Sequence, residues 1–259
     1  MMLLRRLAVF LLIATSTATA SAEERIELPT RPGVKQPFYL TKPNGKPVAS
    51  LILFAGGSGA LGKYGPADLR RGNFLVRSRN LFVGQGFTVA VIDVPSDESE
   101  LSDRFRLGSD HRTDIAVVIA YLRQQEKVSV WLVGTSRGTL SAANVATLGE
   151  GGADGVVLTS SVVRAGNRSG NSTVQEAGLG KIAIPTLIVH NRDDACGACP
   201  FGEAEGLLSR LDHAPRKELI AFSGGDPPRS DPCEALSRHG YIGIEDKVVA
   251  AIAGWIKQP

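Results

Sequence analysis

The sequence predicts an α/β fold of the doubly wound kind, with a mostly parallel sheet and helices on both of its faces. Three observations point there: short apolar runs rich in β-branched residues, helix-period stripes between and after them, and Gly, Asn or Asp where the runs stop. Strands that are apolar on both faces and alternate with helices belong to parallel sheets covered on each side. A chain of 259 residues without internal repeats or a long linker suits one such domain.

The first segment, MMLLRRLAVFLLIATSTATASA, has Arg5 and Arg6, an apolar stretch from Leu7 to Ala14, and small residues ending at Ala22. That order is the pattern of a secretory signal peptide, and the stretch is too short for a membrane anchor, which needs roughly 20 apolar residues. The expectation is cleavage after Ala22, a single domain over residues 23–259, and a protein exported to the periplasm or secreted. Residues Arg25 to Pro47 follow, with Pro29, Pro32, Pro37, Pro43 and Pro47; antiparallel edge strands are expected, since proline is tolerated best at sheet edges.

Five strands are placed at Ala49–Ala55, Phe87–Val94, Val128–Thr135, Gly155–Val163 and Thr186–His190. Between the second and third, Ile115, Val118, Ile119 and Leu122 form an apolar helical stripe preceded by the capping candidates Ser109 and Asp110. The third strand leads into a helical pattern through Leu148, and Ile244, Val248, Val249, Ile252, Trp255 and Ile256 mark a last helix. From Val163 to Thr186 there is room for about one small helix.

With 43% hydrophobic and 21% charged residues, the chain is not expected to be disordered, collagen-like or multi-spanning, and no run after the signal is long enough to insert stably in a membrane. Its net charge is +3, of which Arg5 and Arg6 supply two, so no electrostatic footprint for nucleic acid remains.

The third strand runs directly into Gly134-Thr135-Ser136-Arg137-Gly138. A G-x-S-x-G between strand and helix is a sharp turn that lifts a serine hydroxyl above the sheet, with glycines where a side chain would clash. Serine needs a base to become a nucleophile, and that base needs an orienting carboxylate, so an acid and then a histidine should follow. The fifth strand ends in His190-Asn191-Arg192-Asp193-Asp194, which puts two acids at the sheet edge that carries Ser136. Of the four histidines only His213 and His239 come after them. His239 lies in a polar, Gly-bearing loop before the last helix and is the candidate base. His213 reads as part of a solvated turn and His111 as a helix-start residue.

These motifs resemble the α/β-hydrolase superfamily, in particular capless bacterial exported members related in outline to dienelactone-hydrolase-like and carboxylesterase proteins. The resemblance extends from about Ala49 to Lys257. The family pattern H-G-x-x-D, laid on residues 190–194, implies Asp194 as the acid, with Asp193 the fallback, and its H-G-aromatic motif matches His239-Gly240-Tyr241. Dienelactone hydrolases proper use a cysteine where this chain has Ser136, so their particular reaction does not carry over. The first strand enters Phe54-Ala55-Gly56-Gly57-Ser58-Gly59, where the family usually has an H-G-G loop; here Ala55 replaces the histidine. The resemblance implies an oxyanion hole from the backbone N–H of Gly57, or else Ser58, together with that of Arg137.

Neither glycine cluster fits a nucleotide site. Residues 56–59 lack the Lys-Ser/Thr ending of a P-loop, and Gly84-Gln85-Gly86 precedes a strand instead of opening a helix.

The chain has three cysteines, an odd number for an oxidising compartment. If the Asp194 and His239 loops meet, a disulfide between Cys196 and Cys233 would hold them in register; Cys199 to Cys233 is the alternative. A zinc site from the cysteines and His239 would lack a second widely spaced ligand pair and would withdraw the base, so no metal is expected. The expected function is a serine hydrolase that cleaves a small-molecule carboxylic ester or thioester without a cofactor. An exported peptidase acting on short peptides, and a non-catalytic binding protein on the same architecture, are the alternatives.

Overall fold

A computed structural model describes residues 22–61, 72–166 and 172–258. The expected signal peptide, residues 1–22, lies outside them except for its last residue. The described residues form eight strands and six α-helices: β1 (Glu24–Arg31), β2 (Val34–Thr41), β3 (Ser50–Phe54), α1 (Phe74–Gly84), β4 (Thr88–Ile92), α2 (Asp103–Arg106), α3 (Ser109–Glu126), β5 (Val130–Thr135), α4 (Gly138–Ala146), β6 (Gly155–Thr159), β7 (Thr186–Asn191), α5 (Phe201–Ala204), β8 (Lys217–Phe222) and α6 (Glu245–Ile256).

The strands make one sheet in the order β1-β2-β4-β3-β5-β6-β7-β8. From β4 to β8 all neighbours are parallel, while β1 and β2 join as an antiparallel pair, β2 against β4. β1 is thus one edge strand, β8 the other, and β2 lies inside β1. Pro37 in β2 sits opposite Glu27 of β1, and its carbonyl accepts from Asp93 N at 3.1 Å.

Side-chain alternation divides the core into two layers. Leu51, Leu53, Val89, Val91, Trp131 and Val133 face one side of the sheet, where Phe74 and Leu75 of α1 and Val248 and Ile252 of α6 cover them. Ile52, Phe54, Ala90, Ile92, Val130 and Leu132 face the other side, under Ile115 and Ile119 of α3 and Ala142 and Val145 of α4. Each Val, Leu, Ile or Phe among them contributes roughly 1.5–3 kcal/mol on full burial. Among the described residues no helix is long and apolar enough to cross a membrane.

Several expectations need correction. The fourth run is a strand only as far as Thr159: Ser160 takes φ 44°, and Ser161, Val162 and Val163 stay buried outside the sheet, where Val162 O accepts from Val174 N and Val163 N donates to Ala198 O. The N-cap of α3 is Gly108, with Ser109 and Asp110 in the first turn, and Gly108 offers no side-chain cap. Two 3-10 turns, Val174–Ala177 and Leu179–Lys181, stand where one small helix was expected. Helix α1 and strand β8 were not anticipated.

Candidate active site

The carboxyl ends of the parallel strands converge on a cleft of about 820 Å³ lined by Gly57, Asn73, Ser136, Arg137, Cys233 and His239, among others. Clefts at this edge are where open α/β sheets bind ligands. Ser136 follows the last residue of β5 and takes φ 52°, a left-handed conformation that a residue with a side chain adopts only under constraint. Its N–H is held by Thr159 O at 3.1 Å and its carbonyl by Thr139 Oγ1 at 2.6 Å. The flanking glycines are required by close approach: a Cβ at Gly134 would stand 2.4 Å from Gly138 O, and one at Gly138 would stand 2.1 Å from Phe54 O.

Asp194, three residues beyond β7, directs Oδ2 at His239 Nδ1, 2.8 Å away, and accepts Cys196 N on Oδ1 at 2.9 Å. His190, the last but one residue of β7, bonds Cys199 O through Nε2 at 2.7 Å and lies 3.5 Å from Asp194 Oδ2. Burial alone would push the Asp194 carboxyl up; the contacts from His190 and His239 outweigh it and hold the acid below its usual range. Burial also disfavours a charged His239 ring, but the hydrogen bond to Asp194, helped by the nearby Cys199 sulfur, overrides it and raises the histidine above its usual value. Asp193 is turned elsewhere. Its Oδ2 accepts Gly224 N at 2.6 Å and lies 4.0 Å from Arg238.

The His239 loop is fixed from several sides. Ser237 Oγ accepts His239 N at 3.2 Å, Ser160 Oγ donates to His239 O at 2.8 Å, and Arg77 of α1 donates to Gly240 O while pairing with Glu245 of α6. His239 Nε2 is buried and has no partner among the described residues, and it is not hydrogen-bonded to Ser136 although both residues line the cleft. In ligand-free hydrolases the serine–histidine bond is commonly long and tightens when substrate binds. His213 is exposed, near Gly180 O, and His111 is buried in α3 against Phe54 and Phe105; neither reaches the cleft.

At the end of β3, Gly57 takes φ 60°. The N–H groups of Gly57 and Arg137 have no acceptor among the described residues, and both residues line the cleft beside Ser136. Two arginines secure the Gly57 carbonyl. Arg137 Nη1 donates to it at 3.1 Å while Arg137 Nε pairs with Asp103 at 2.7 Å, so the side chain of Arg137 is already engaged.

The second arginine is Arg106, which sequence reasoning missed because nothing in its neighbourhood marks it. It is fully buried, and Nη2 reaches Ala55 O at 3.1 Å and Gly57 O at 3.3 Å, with further bonds to Leu101 O and Ser141 Oγ. No carboxylate touches it among the described residues. Burial, with neighbouring Arg137, pushes its pKa down to about 9.

Cys196 and Cys233 form a disulfide of 2.05 Å, and Cys199 is a buried free thiol whose pKa burial raises. Sulfur atoms of Cys196 and Cys199 and a ring nitrogen of His239 lie within 4.8 Å of one another. Cys196 is held in the disulfide and His239 Nδ1 on Asp194, which leaves the Cys199 sulfur and His239 Nε2 as the cluster's remaining ligand atoms.

No protein-family model matches the sequence, and no curated protein matches it significantly. Solved structures do resemble its fold. A serine hydrolase homologue from Coxiella burnetii superimposes with a TM-score of 0.61 at 15% identity, over 88% of this chain and 96% of that one. An esterase from Pyrococcus furiosus gives 0.63 at 14% identity, over 91% and 92%. A serine hydrolase without a lid from Xanthomonas campestris gives 0.57 at 12% identity, over 91% and 92%. The eight-stranded, mostly parallel sheet and its helices thus follow a shared architecture: the chain has the α/β-hydrolase fold.

Proposed function

We propose that the protein is a serine hydrolase that cleaves carboxylic esters or thioesters of small molecules through an acyl-enzyme. Ser136 Oγ attacks the carbonyl carbon, His239 takes its proton and later returns it to the leaving group, and Asp194 orients and stabilises the charged imidazole. The N–H groups of Gly57 and Arg137 receive the oxyanion. The observation that carries this reading is the His239–Asp194 contact of 2.8 Å in the wall of a cleft that also holds Ser136 on a left-handed turn.

The signal-like N-terminus, together with the disulfide, supports work outside the cytoplasm, where such bonds persist. Intact mass of protein recovered from a bacterial host should give a chain starting at Glu23; a full-length product would overturn export.

Labelling of the purified mature protein by a fluorophosphonate tests the chemistry. Adduct formation at Ser136, abolished in both Ser136→Ala and His239→Ala, is the expected result. A folded protein that remains unlabelled would overturn the reading and favour a ligand-binding role.

A further inference from the structure

We propose that Asn73 is a third donor to the substrate's oxyanion, acting through its side-chain amide; this rests on the serine-hydrolase reading above. Asn73 is the N-cap of α1, and its Oδ1 accepts the Leu75 N–H at 3.2 Å. That bond settles which end of the amide is which, because a helix N–H needs an oxygen. Nδ2 therefore points away from the helix, and it has no acceptor among the described residues.

Where it points is shown by Gly56. A Cβ placed there would lie 2.9 Å from Asn73 Nδ2, 2.9 Å from Ser136 Cβ and 3.1 Å from Thr135 O. The absent side chain at Gly56 is thus the space that separates an unpaired amide from the nucleophile. Gly56, Asn73 and Ser136 all line the cleft, and the next residue, Gly57, offers its own free N–H. An oxyanion has lone pairs for three donors. A neutral amide held at one end by a cap brings such a donor with little reorganisation, which is the condition under which electrostatic stabilisation is most effective.

A helix cap alone would explain the Oδ1 bond, but it would leave Nδ2, which faces the space at Gly56, without a purpose. The two roles separate by substitution. Asn73→Ser and Asn73→Asp both retain a capping oxygen and remove the amide donor. For Asn73→Ser the expected result is a fall in kcat of about 10²- to 10³-fold on an activated ester, a KM within a few-fold of wild type, and an equal fall in the rate of fluorophosphonate labelling. The thermal midpoint should stay where it is. Asn73→Asp should lose at least as much, since it sets a negative charge beside the oxyanion, and it serves in place of the serine variant should that one not fold. An active wild type whose folded capping variant stays within twofold of it would overturn the role of Asn73 and leave the hydrolase reading intact, whereas an inert, unlabelled wild type would overturn both.

Discussion

Cys196 and Cys233 are bonded at the wall of the cleft, the first two residues after Asp194 and the second six before His239, 37 positions apart in sequence with their Cα atoms 4.5 Å apart. The bond ties the loop that carries Asp194 to the loop that carries His239. Closing a loop of this length contributes roughly 3–4 kcal/mol by restricting the unfolded chain. Reduction, or Cys233→Ser, should lower the free energy of unfolding in urea by about that amount. It should also reduce kcat well below the unfolding midpoint, as the two loops lose register. Full activity in the reduced, folded protein would show that the hydrogen bonds suffice to hold Asp194 on His239.

Activity and stability should respond to pH in opposite directions. In the proposed mechanism His239 must be neutral to accept the proton from Ser136, and its folded pKa is raised above the ordinary histidine value of about 6.5. The active fraction therefore grows on the alkaline side, and kcat/KM should climb with pH beyond the range expected of a free histidine. The same raised pKa adds stability that is complete below about pH 6.5 and is lost as pH rises through the folded value. Asp194 works at the other end: its lowered pKa contributes stability above about pH 4 that disappears as its carboxyl protonates. Asp194→Asn should cut kcat by about 10⁴-fold and bring the His239 limb of the profile to lower pH. A pH–rate profile of wild type and variant, beside urea midpoints at the same pH values, checks both signs.

Much of this architecture was legible because burial and periodicity coincide in the central strands, where Leu51 to Phe54 and Val130 to Val133 are apolar on both faces. Helix α1 escaped notice because Arg77 and Arg79 interrupt its apolar stripe. Their charges are met by Glu245 and Glu23, partners far away in the sequence that no local pattern announces. Strand β8 was hidden by Lys217 and Glu218 and by only partial burial at the sheet's edge. The run at 160–163 misled in the opposite sense, since it is buried by tertiary contacts without forming a strand. In the cleft, Ser136, Asp194 and His239 were named from motif and chain order. Arg106 and Asn73 were not, because a buried cation without an acid and a cap with a second use become visible only once distant segments meet.

Gly240 gives a test of how tightly the base is held. A Cβ at this position would stand 2.1 Å from Ala235 O and 2.9 Å from Ala235 C, and backbone cannot move aside as a side chain can. Gly240→Ala should destabilise the protein by about 1–3 kcal/mol, the usual range for overpacking, and should displace His239 from Asp194. The catalytic loss should exceed what the remaining folded fraction explains. Circular dichroism melts with kcat measured on the same samples separate the two effects, and a variant as active per folded molecule as wild type would show that the loop adapts.

Arg106 sets two effects against each other. Burying a guanidinium with no carboxylate in contact is unfavourable, so its replacement by an apolar side chain removes a desolvation cost. Against that, Arg106→Met would strand Ala55 O, Leu101 O and Ser141 Oγ in the interior, each at about 1–3 kcal/mol, while Gly57 O keeps Arg137. Three stranded groups outweigh the relief, and a net loss of about 2–4 kcal/mol in urea unfolding is expected. The carbonyls of Ala55 and Gly57 flank the peptide that presents the Gly57 N–H, so the oxyanion loop should loosen as well. A fall in kcat of at least 10-fold with little change in KM would follow, since the lost positioning matters most when charge develops on the substrate oxygen. Arg106→Lys, which keeps the charge but cannot span all of these acceptors, should recover part of the stability and less of the rate. If the methionine variant proved as stable and as active as wild type, the buried cation would be a tolerated burden and not the support of the loop.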